Sequence, residues 1–179
     1  MGCKLERIKS RIRSFGSIMR KRIVIIGGGA SGLTAAIGGA RNGAHVTIVE
    51  HMDRVGKKIL STGNGRCNLT NLRMGEDCYR CGQKGFPMEV IRGFGVDETL
   101  AFFKGLGIEP KDRNGYIYPN SDQASAVLDV LRSEVERLGV VVLLSCRVEK
   151  IEPAVGGGGV RYKVYTDQGI LDAEAVILA

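Results

Sequence analysis

Ile23-Val24-Ile25-Ile26-Gly27-Gly28-Gly29-Ala30-Ser31-Gly32 decides the fold of this 179-residue chain. Four β-branched residues read as a short buried strand, and the strand stops at glycines spaced G-x-G-x-x-G. Each glycine has a separate task. Gly27 permits the tight turn, Gly29 lets a pyrophosphate come up to bare backbone, and Gly32 lets the following helix pack close to the strand. That helix is predicted from the spacing of Leu33, Ala36, Ile37 and Ala40, with Asn42-Gly43 as its stop. Its first turn aims unpaired N–H groups and the positive end of its dipole at the glycine loop. A second strand follows at 45–50 and ends on Glu50. An acid about 20 residues beyond the glycines can accept hydrogen bonds from a ribose, and it would repel a ribose phosphate. Strand, glycines, helix, strand and acid in that order argue against a mere glycine-rich surface turn and for a dinucleotide site in an α/β fold.

Charge and composition bound the rest. The net charge of +7 is concentrated in residues 1–22, where eight basic side chains face Glu6 alone. Beyond residue 22 the 18 basic and 18 acidic side chains cancel, so the body carries no electrostatic case for nucleic acid. The leader 1–19 spaces Leu5, Ile8, Ile12 and Phe15 nearly as a helix. It reads as a short basic amphipathic helix, a disordered tail, or the consequence of starting at Met1 rather than Met19. No apolar run is long enough to span a bilayer and no secretory h-region precedes the first strand, so the expected localisation is cytoplasmic. Five cysteines, odd in number and scattered, suit a reducing compartment. Cys78-Tyr79-Arg80-Cys81 reads as two free loop thiols rather than a zinc site, because four ligands are not at hand; a redox dithiol is the sharper alternative. No metal is expected.

Residues 53–71 show no periodicity. They mix glycines with Lys57, Lys58, Arg66 and a set of hydroxyl and amide side chains, a composition able to wrap a bound anion. A helix is expected over 97–106 from an Asp97 cap, then a hairpin over 108–119 turning at Asn114-Gly115, with Tyr116 and Tyr118 as packing residues. Ser121 is expected to cap a longer helix with an inner stripe of Ala124, Val127, Leu128, Leu131, Val135 and Leu138, ending at Gly139. A buried strand at 140–144, a β-meander of strands 147–151 and 160–166 with turns at 156–159 and 168–169, and an interior parallel strand at 175–179 complete the reading. An intact domain rarely stops on such a strand, so the chain reads as truncated or split, with residues 72–125 as a helical and hairpin insertion in a partial domain of 20–179.

Four stretches together carry a family likeness: Ile-Gly-Gly-Gly-Ala-Ser-Gly at 26–32, Gly-Lys-Lys-Ile-Leu-Ser-Thr-Gly-Asn-Gly-Arg-Cys-Asn-Leu-Thr-Asn at 56–71, Tyr-Pro-Asn-Ser-Asp-Gln-Ala-Ser at 118–125 and Ala-Val-Ile-Leu-Ala at 175–179. Over about residues 20–179 the chain resembles the bacterial FAD-dependent oxidoreductases of the BaiN/RdsA type. The 56–71 stretch makes the likeness specific, since generic dinucleotide-binding domains lack it. The resemblance implies a Rossmann-like FAD-binding domain, with FAD in the first site and NAD(P)H as a possible electron donor. It implies that Gly27, Gly29, Ala30, Ser31 and Gly32 hold the pyrophosphate and Glu50 the ribose. Lys58 and the 62–70 loop, with Thr62, Gly63, Arg66, Cys67, Asn68, Leu69 and Thr70, would lie along the pyrophosphate and flavin, and the Val148 backbone would meet adenine. Members of the family are longer and carry a substrate domain, so the missing partner would be the C-terminal half of the same enzyme.

The expected function is therefore the cofactor-binding portion of a flavin-dependent oxidoreductase acting on a small molecule, with the redox chemistry supplied by the cofactor. No catalytic acid or base can be named from these residues. The alternatives are an NAD-dependent dehydrogenase fragment on the same βαβ unit, a non-catalytic fragment, and, on the leader alone, a membrane- or nucleic-acid-binding module.

Overall fold

The computed structural model describes residues 20–154 and 159–179. The basic leader 1–19, and with it Cys3, lies outside the described residues, as does most of the expected 156–159 turn. In chain order the strands are β1 (Arg22–Ile26), β2 (His45–Val49), β3 (Thr70–Asn71), β4 (Pro110–Arg113), β5 (Tyr116–Pro119), β6 (Val141–Leu143), β7 (Val148–Pro153), β8 (Tyr162–Thr166), β9 (Gly169–Ala173) and β10 (Ala175–Leu178). The helices are α1 (Ala30–Arg41), α2 (Phe86–Gly93), α3 (Val96–Gly105) and α4 (Ala124–Arg137). Two compact units divide them: Lys57–Glu134, and the chain on either side of that segment.

The flanking chain builds a parallel four-stranded sheet in the order β10-β1-β2-β6. Parallel strands covered on both faces need apolar residues at every position, which the β-branched run of β1 and the His-Val-Thr-Ile-Val of β2 largely provide. Ile25 and Ile48 are paired in register and fully buried. Helix α1 turns Leu33, Ala36 and Ile37 inward to complete burial. Removing Leu33 and Ile37 from water is worth about 1.5–3 kcal/mol each. A methyl on Gly39 would stand 3.2 Å from Val46, so this helix lies close against the β1–β2 face. Over the opposite face fold the antiparallel strands β7-β8-β9, the expected meander. Val24, Val49, Cys146, Val164 and Ala173 form the core there, with Ile26, Leu143, Val148, Leu171 and Val176 packed around it.

One expectation is corrected here. The strand expected to be buried at 140–144 is β6, which is half-buried and, among the described residues, pairs with β2 alone. The strand expected at 175–179 is β10, paired in parallel with β1. Strand order decides how far a ladder is covered, and local apolarity does not encode that order.

The Lys57–Glu134 unit holds an antiparallel sheet ordered β3-β5-β4, with α3 packed on β3 and β4. Its hairpin turns where expected: Asn114 (φ 55°) and Gly115 (φ 86°) are both left-handed, and the Gly115 N–H donates to Asp112 Oδ1 at 2.7 Å. Helix α3 begins after Gly95, and the Glu98 carboxylate reaches back to the Gly95 N–H at 2.9 Å; Glu98 therefore does the work expected of Asp97. Helix α2, which the sequence reading missed, starts after left-handed Gly85 with Pro87 in its first turn. Ala124, Val127, Leu128, Leu131 and Val135 of α4 are buried as their spacing required, whereas Leu138 follows the helix end and is half-buried. Ser121 stands three residues ahead of that helix, its Oγ accepting the Gln123 N–H at 3.4 Å. The stretch read as aperiodic over 53–71 contains a 3₁₀ segment, Ile59–Gly65, and β3. Pairing of β3 with β5 ties that stretch to the hairpin, so the unit is wider than the 72–125 insertion. No helix among the described residues is long and apolar enough to cross a membrane.

Candidate cofactor site

The turn from β1 into α1 separates the fingerprint glycines by the space around them. Gly27 is left-handed (φ 107°), donates to the Val49 carbonyl at 2.9 Å, and has no room for a methyl, which would meet the Ala179 carbonyl oxygen at 2.4 Å. A methyl on Gly32 would lie 1.9 Å from the Gly27 carbonyl oxygen, so only glycine lets α1 start this close to the turn. Gly28 is also closed, with Val55 and the Glu50 carboxylate beside it. Gly29 is different: a methyl there would touch nothing within 4 Å. It is the N-cap of α1, no side chain caps that helix, and its first turn carries no acid. The first turn thus offers backbone N–H groups and a positive dipole end over open, bare backbone. Ala30 and Ser31 are both exposed there.

Glu50 follows β2 and is 7% exposed. Burying a carboxylate is costly unless donors surround it. Three do: the Gly28 N–H at 2.7 Å and the Met52 N–H at 2.8 Å donate to its two oxygens, and His51 Nδ1 lies 2.9 Å from Oε1. Its backbone is fixed as well, with its N–H on Leu143 and its carbonyl accepting the Cys146 N–H at 3.0 Å. That last bond brings the β6–β7 connection beside the acid. Val148 opens β7 opposite Thr166, with a register shift before Lys150. One unit therefore gathers Gly27, Gly29, Ala30, Ser31, Gly32 and Glu50 directly, and Val148 through Cys146. Sequence reasoning missed His51, Gly28 and Val55; His51 could have been found from its place next to the acid.

Lys58, Thr62, Gly63, Arg66, Cys67, Asn68, Leu69 and Thr70 belong to the other unit. Gly63, Asn64, Gly65 and Cys67 are all left-handed, four such residues within five positions. Arg66 and Cys67 donate back to Gly63 and Thr62, the Leu69 N–H donates to Ile117 at 2.8 Å, and Asn68 Nδ2 bridges the carbonyls of Thr70 and Ile117 at 3.1 Å each. Thr62 Oγ1 donates to the Ile59 carbonyl at 2.7 Å. The loop is thus a built structure whose strained residues are held by specific bonds. A methyl on Gly63 would stand 2.8 Å from the Asn68 nitrogen and 3.2 Å from the Tyr118 ring. Tyr118 packs there as expected, while Tyr116 is half exposed. Lys58 is exposed and Arg66 half-buried. Burial raises the Cys67 thiol above its ordinary value, against the lowering effect of a bond with Thr62.

Among the described residues no group of three or more histidine, cysteine or acidic side chains is placed to hold a metal ion. Cys78 and Cys81 are free and exposed.

Comparison with known proteins joins this geometry to a family. A family model described as "HI0933-like protein Rossmann domain" matches residues 21–179, and the chain belongs to that family. It is 48% identical over 160 residues to the 3-dehydro-bile acid delta(4,6)-reductase of Clostridium scindens, covering 88% of this chain and 38% of that protein. It is 26% identical over 157 residues to the ribosomal RNA dihydrouridine synthase of Haemophilus influenzae, covering 87% of this chain and 39% of the relative. The chain thus spans about two-fifths of the length of the curated relatives it matches. Among solved structures, THI4 of Thermovibrio ammonificans superposes with a TM-score of 0.61 at 17% identity, over 99% of this chain and 61% of that one. NikD, described as an unusual amino acid oxidase, gives 0.53 at 17% identity over 89% and 51%. These two likenesses confirm the Rossmann-like α/β fold expected from the fingerprint.

Proposed function

We propose that this HI0933-like family member is the FAD-binding Rossmann domain of a flavin-dependent oxidoreductase that acts on a small molecule. The observation that carries the reading is the contrast among the glycines: Gly27 and Gly32 closed, Gly29 open beneath an uncapped helix N-terminus, with a buried carboxylate next door. Those residues fit the ADP half of a dinucleotide. Gly29 and the first-turn N–H groups of Ala30, Ser31 and Gly32 would bind the pyrophosphate, Glu50 would accept a ribose hydroxyl, and the backbone at Val148 would meet adenine. When bound, FAD supplies two-electron redox chemistry, with NAD(P)H as a candidate electron donor, and the protein binds and orients it. Lys58, Thr62, Gly63, Arg66, Cys67, Asn68, Leu69 and Thr70 are assigned to the pyrophosphate and flavin side on the family likeness. Their fixed, strained backbone supports a binding role over that of a solvated connector.

The 48% identity to a reductase of a bile acid supports a small-molecule substrate more than the 26% identity to an enzyme of ribosomal RNA. Charge agrees, since acidic and basic side chains balance beyond residue 22. The test is to purify the protein and titrate it with FAD and NAD side by side, following flavin fluorescence and equilibrium dialysis. Flavin absorbance in the purified protein, and binding of FAD in preference to NAD, is the expected result. A colourless protein that takes up NAD and ignores FAD would overturn the reading in favour of a dehydrogenase domain.

A further inference from the structure

We infer that Gln168, with its neighbour Asp167, is a positioning residue for the adenine side of the cofactor site, an inference that rests on the FAD reading above. The backbone that would meet adenine, at Val148, opens β7 directly after the connection from β6. Ser145 in that connection is left-handed (φ 48°), a conformation that an L-residue keeps when its surroundings over-determine it. On one side the Ser145 N–H donates to the Met52 carbonyl at 2.8 Å and the Cys146 N–H to the Glu50 carbonyl at 3.0 Å. Those bonds use the N–H groups and leave carbonyls to be held.

The β8–β9 turn holds them. Gln168 Nε2 donates to the carbonyls of Ser145 at 2.8 Å and of Leu144 at 3.3 Å. Asp167 clamps Arg147 twice: its N–H donates to the Arg147 carbonyl at 3.1 Å, and its Oδ1 accepts the Arg147 N–H at 2.9 Å. The turn is stiffened internally, because Thr166 Oγ1 accepts the Gln168 N–H at 3.2 Å and donates to the Gly169 carbonyl at 2.7 Å. Residues 144–147 are therefore gripped between the segment just after β2, which carries Glu50 and Met52, and a turn some 20 residues further along the chain. Two carbonyl oxygens facing one side chain require a donor. An amide NH₂ has two N–H groups to give, and a carboxylate in its place has none and is repelled by both carbonyls.

Substitution at Gln168 separates this role from simple packing. Gln168→Glu has the same shape and lacks the donor, Gln168→Ala lacks both, and Gln168→Arg restores N–H donors on a longer arm. The probes are FAD and ADP, each titrated against the full 179-residue chain, together with amide exchange at Ser145 and Cys146. A donor role makes Gln168→Glu the weakest binder, about tenfold weaker for FAD and for ADP alike, with Gln168→Arg recovering most of the loss. Exchange at Ser145 and Cys146 accelerates in Gln168→Glu while the interior of β1 is unaffected. Binding by Gln168→Glu as tight as by the parent protein would overturn the inference. If the parent protein binds neither probe, the FAD reading fails on its own, and exchange then decides the brace: faster exchange upholds it, an unchanged rate overturns it.

Discussion

A single methyl group sorts the fingerprint glycines by what they do. At Gly32 it would collide with the Gly27 carbonyl oxygen at 1.9 Å, both of them main-chain features that cannot swing aside. Gly32→Ala is expected to lower the free energy of unfolding by roughly 1–3 kcal/mol, read from denaturant unfolding. At Gly29 the same methyl meets nothing, and the backbone (φ −75°, ψ −167°) is one that alanine adopts freely. Gly29→Ala is therefore expected to keep stability within about 1 kcal/mol of the parent while weakening FAD binding by about tenfold or more, because the methyl occupies the space left for the pyrophosphate. Equal losses of stability in the two variants would show that Gly29 is a packing residue. The cysteines separate similarly. Cys146 is buried, and that burial raises its thiol above the ordinary value, so the thiolate is disfavoured in the folded protein. The stability linked to this group is intact below the ordinary thiol value of 9.0 and is lost as pH rises past it toward the folded value. Iodoacetamide at neutral pH should label Cys78 and Cys81 at once and Cys146 only after unfolding, with Cys146 more accessible in strongly alkaline solution; mass spectrometry of the labelled peptides reads this directly.

Elements were legible where a local signal and the tertiary outcome coincide. The hairpin of β4 and β5 is the clearest instance: Asn114-Gly115 requires two left-handed residues, and no distant contact is needed to specify them. Gly115→Ala is expected to lower stability by about 1–2 kcal/mol, since an L-residue at φ 86° is strained wherever it sits; thermal unfolding would register it. Helix α1 was equally plain, because its inner stripe, its glycine start and its Asn42-Gly43 end agree. Helix α2 was not. It is short, flanked by glycines, and leaves Phe86 and Val90 about half exposed, so its apolar spacing marks no buried face. The start of α3 is not legible in the sequence for a related reason: Asp97 and Glu98 are both acids in its first turn, and only the folded backbone shows that Glu98 reaches the Gly95 N–H.

For the molecule as a whole, the parallel sheet should be the slowest part to open. Ile25 and Ile48 are fully buried at its centre, whereas β6 and β10 are its half-buried edges. Native-state hydrogen exchange is expected to protect the amides of β1 and β2 most and to release those of β6 and β10 earlier; stronger protection in β10 than in β1 would contradict the strand order. The sequence by itself determined the βαβ unit, its glycine turn and the acid at its end, because each depends on neighbours within about 30 residues of chain and on conformations few residue types can adopt. It also carried the meander and the inner stripe of α4, whose periods of 2 and 3.6 are local properties. Tertiary structure alone decided the strand order β10-β1-β2-β6 and that the 57–71 stretch is bound to a hairpin. It alone closed Gly28 with Val55 and set Gln168 against the carbonyls of Ser145 and Leu144. Those outcomes depend on which segments meet across long stretches of chain. A hydrogen bond between an amide and a carbonyl 23 residues away leaves no periodicity behind for a reader of the sequence to find.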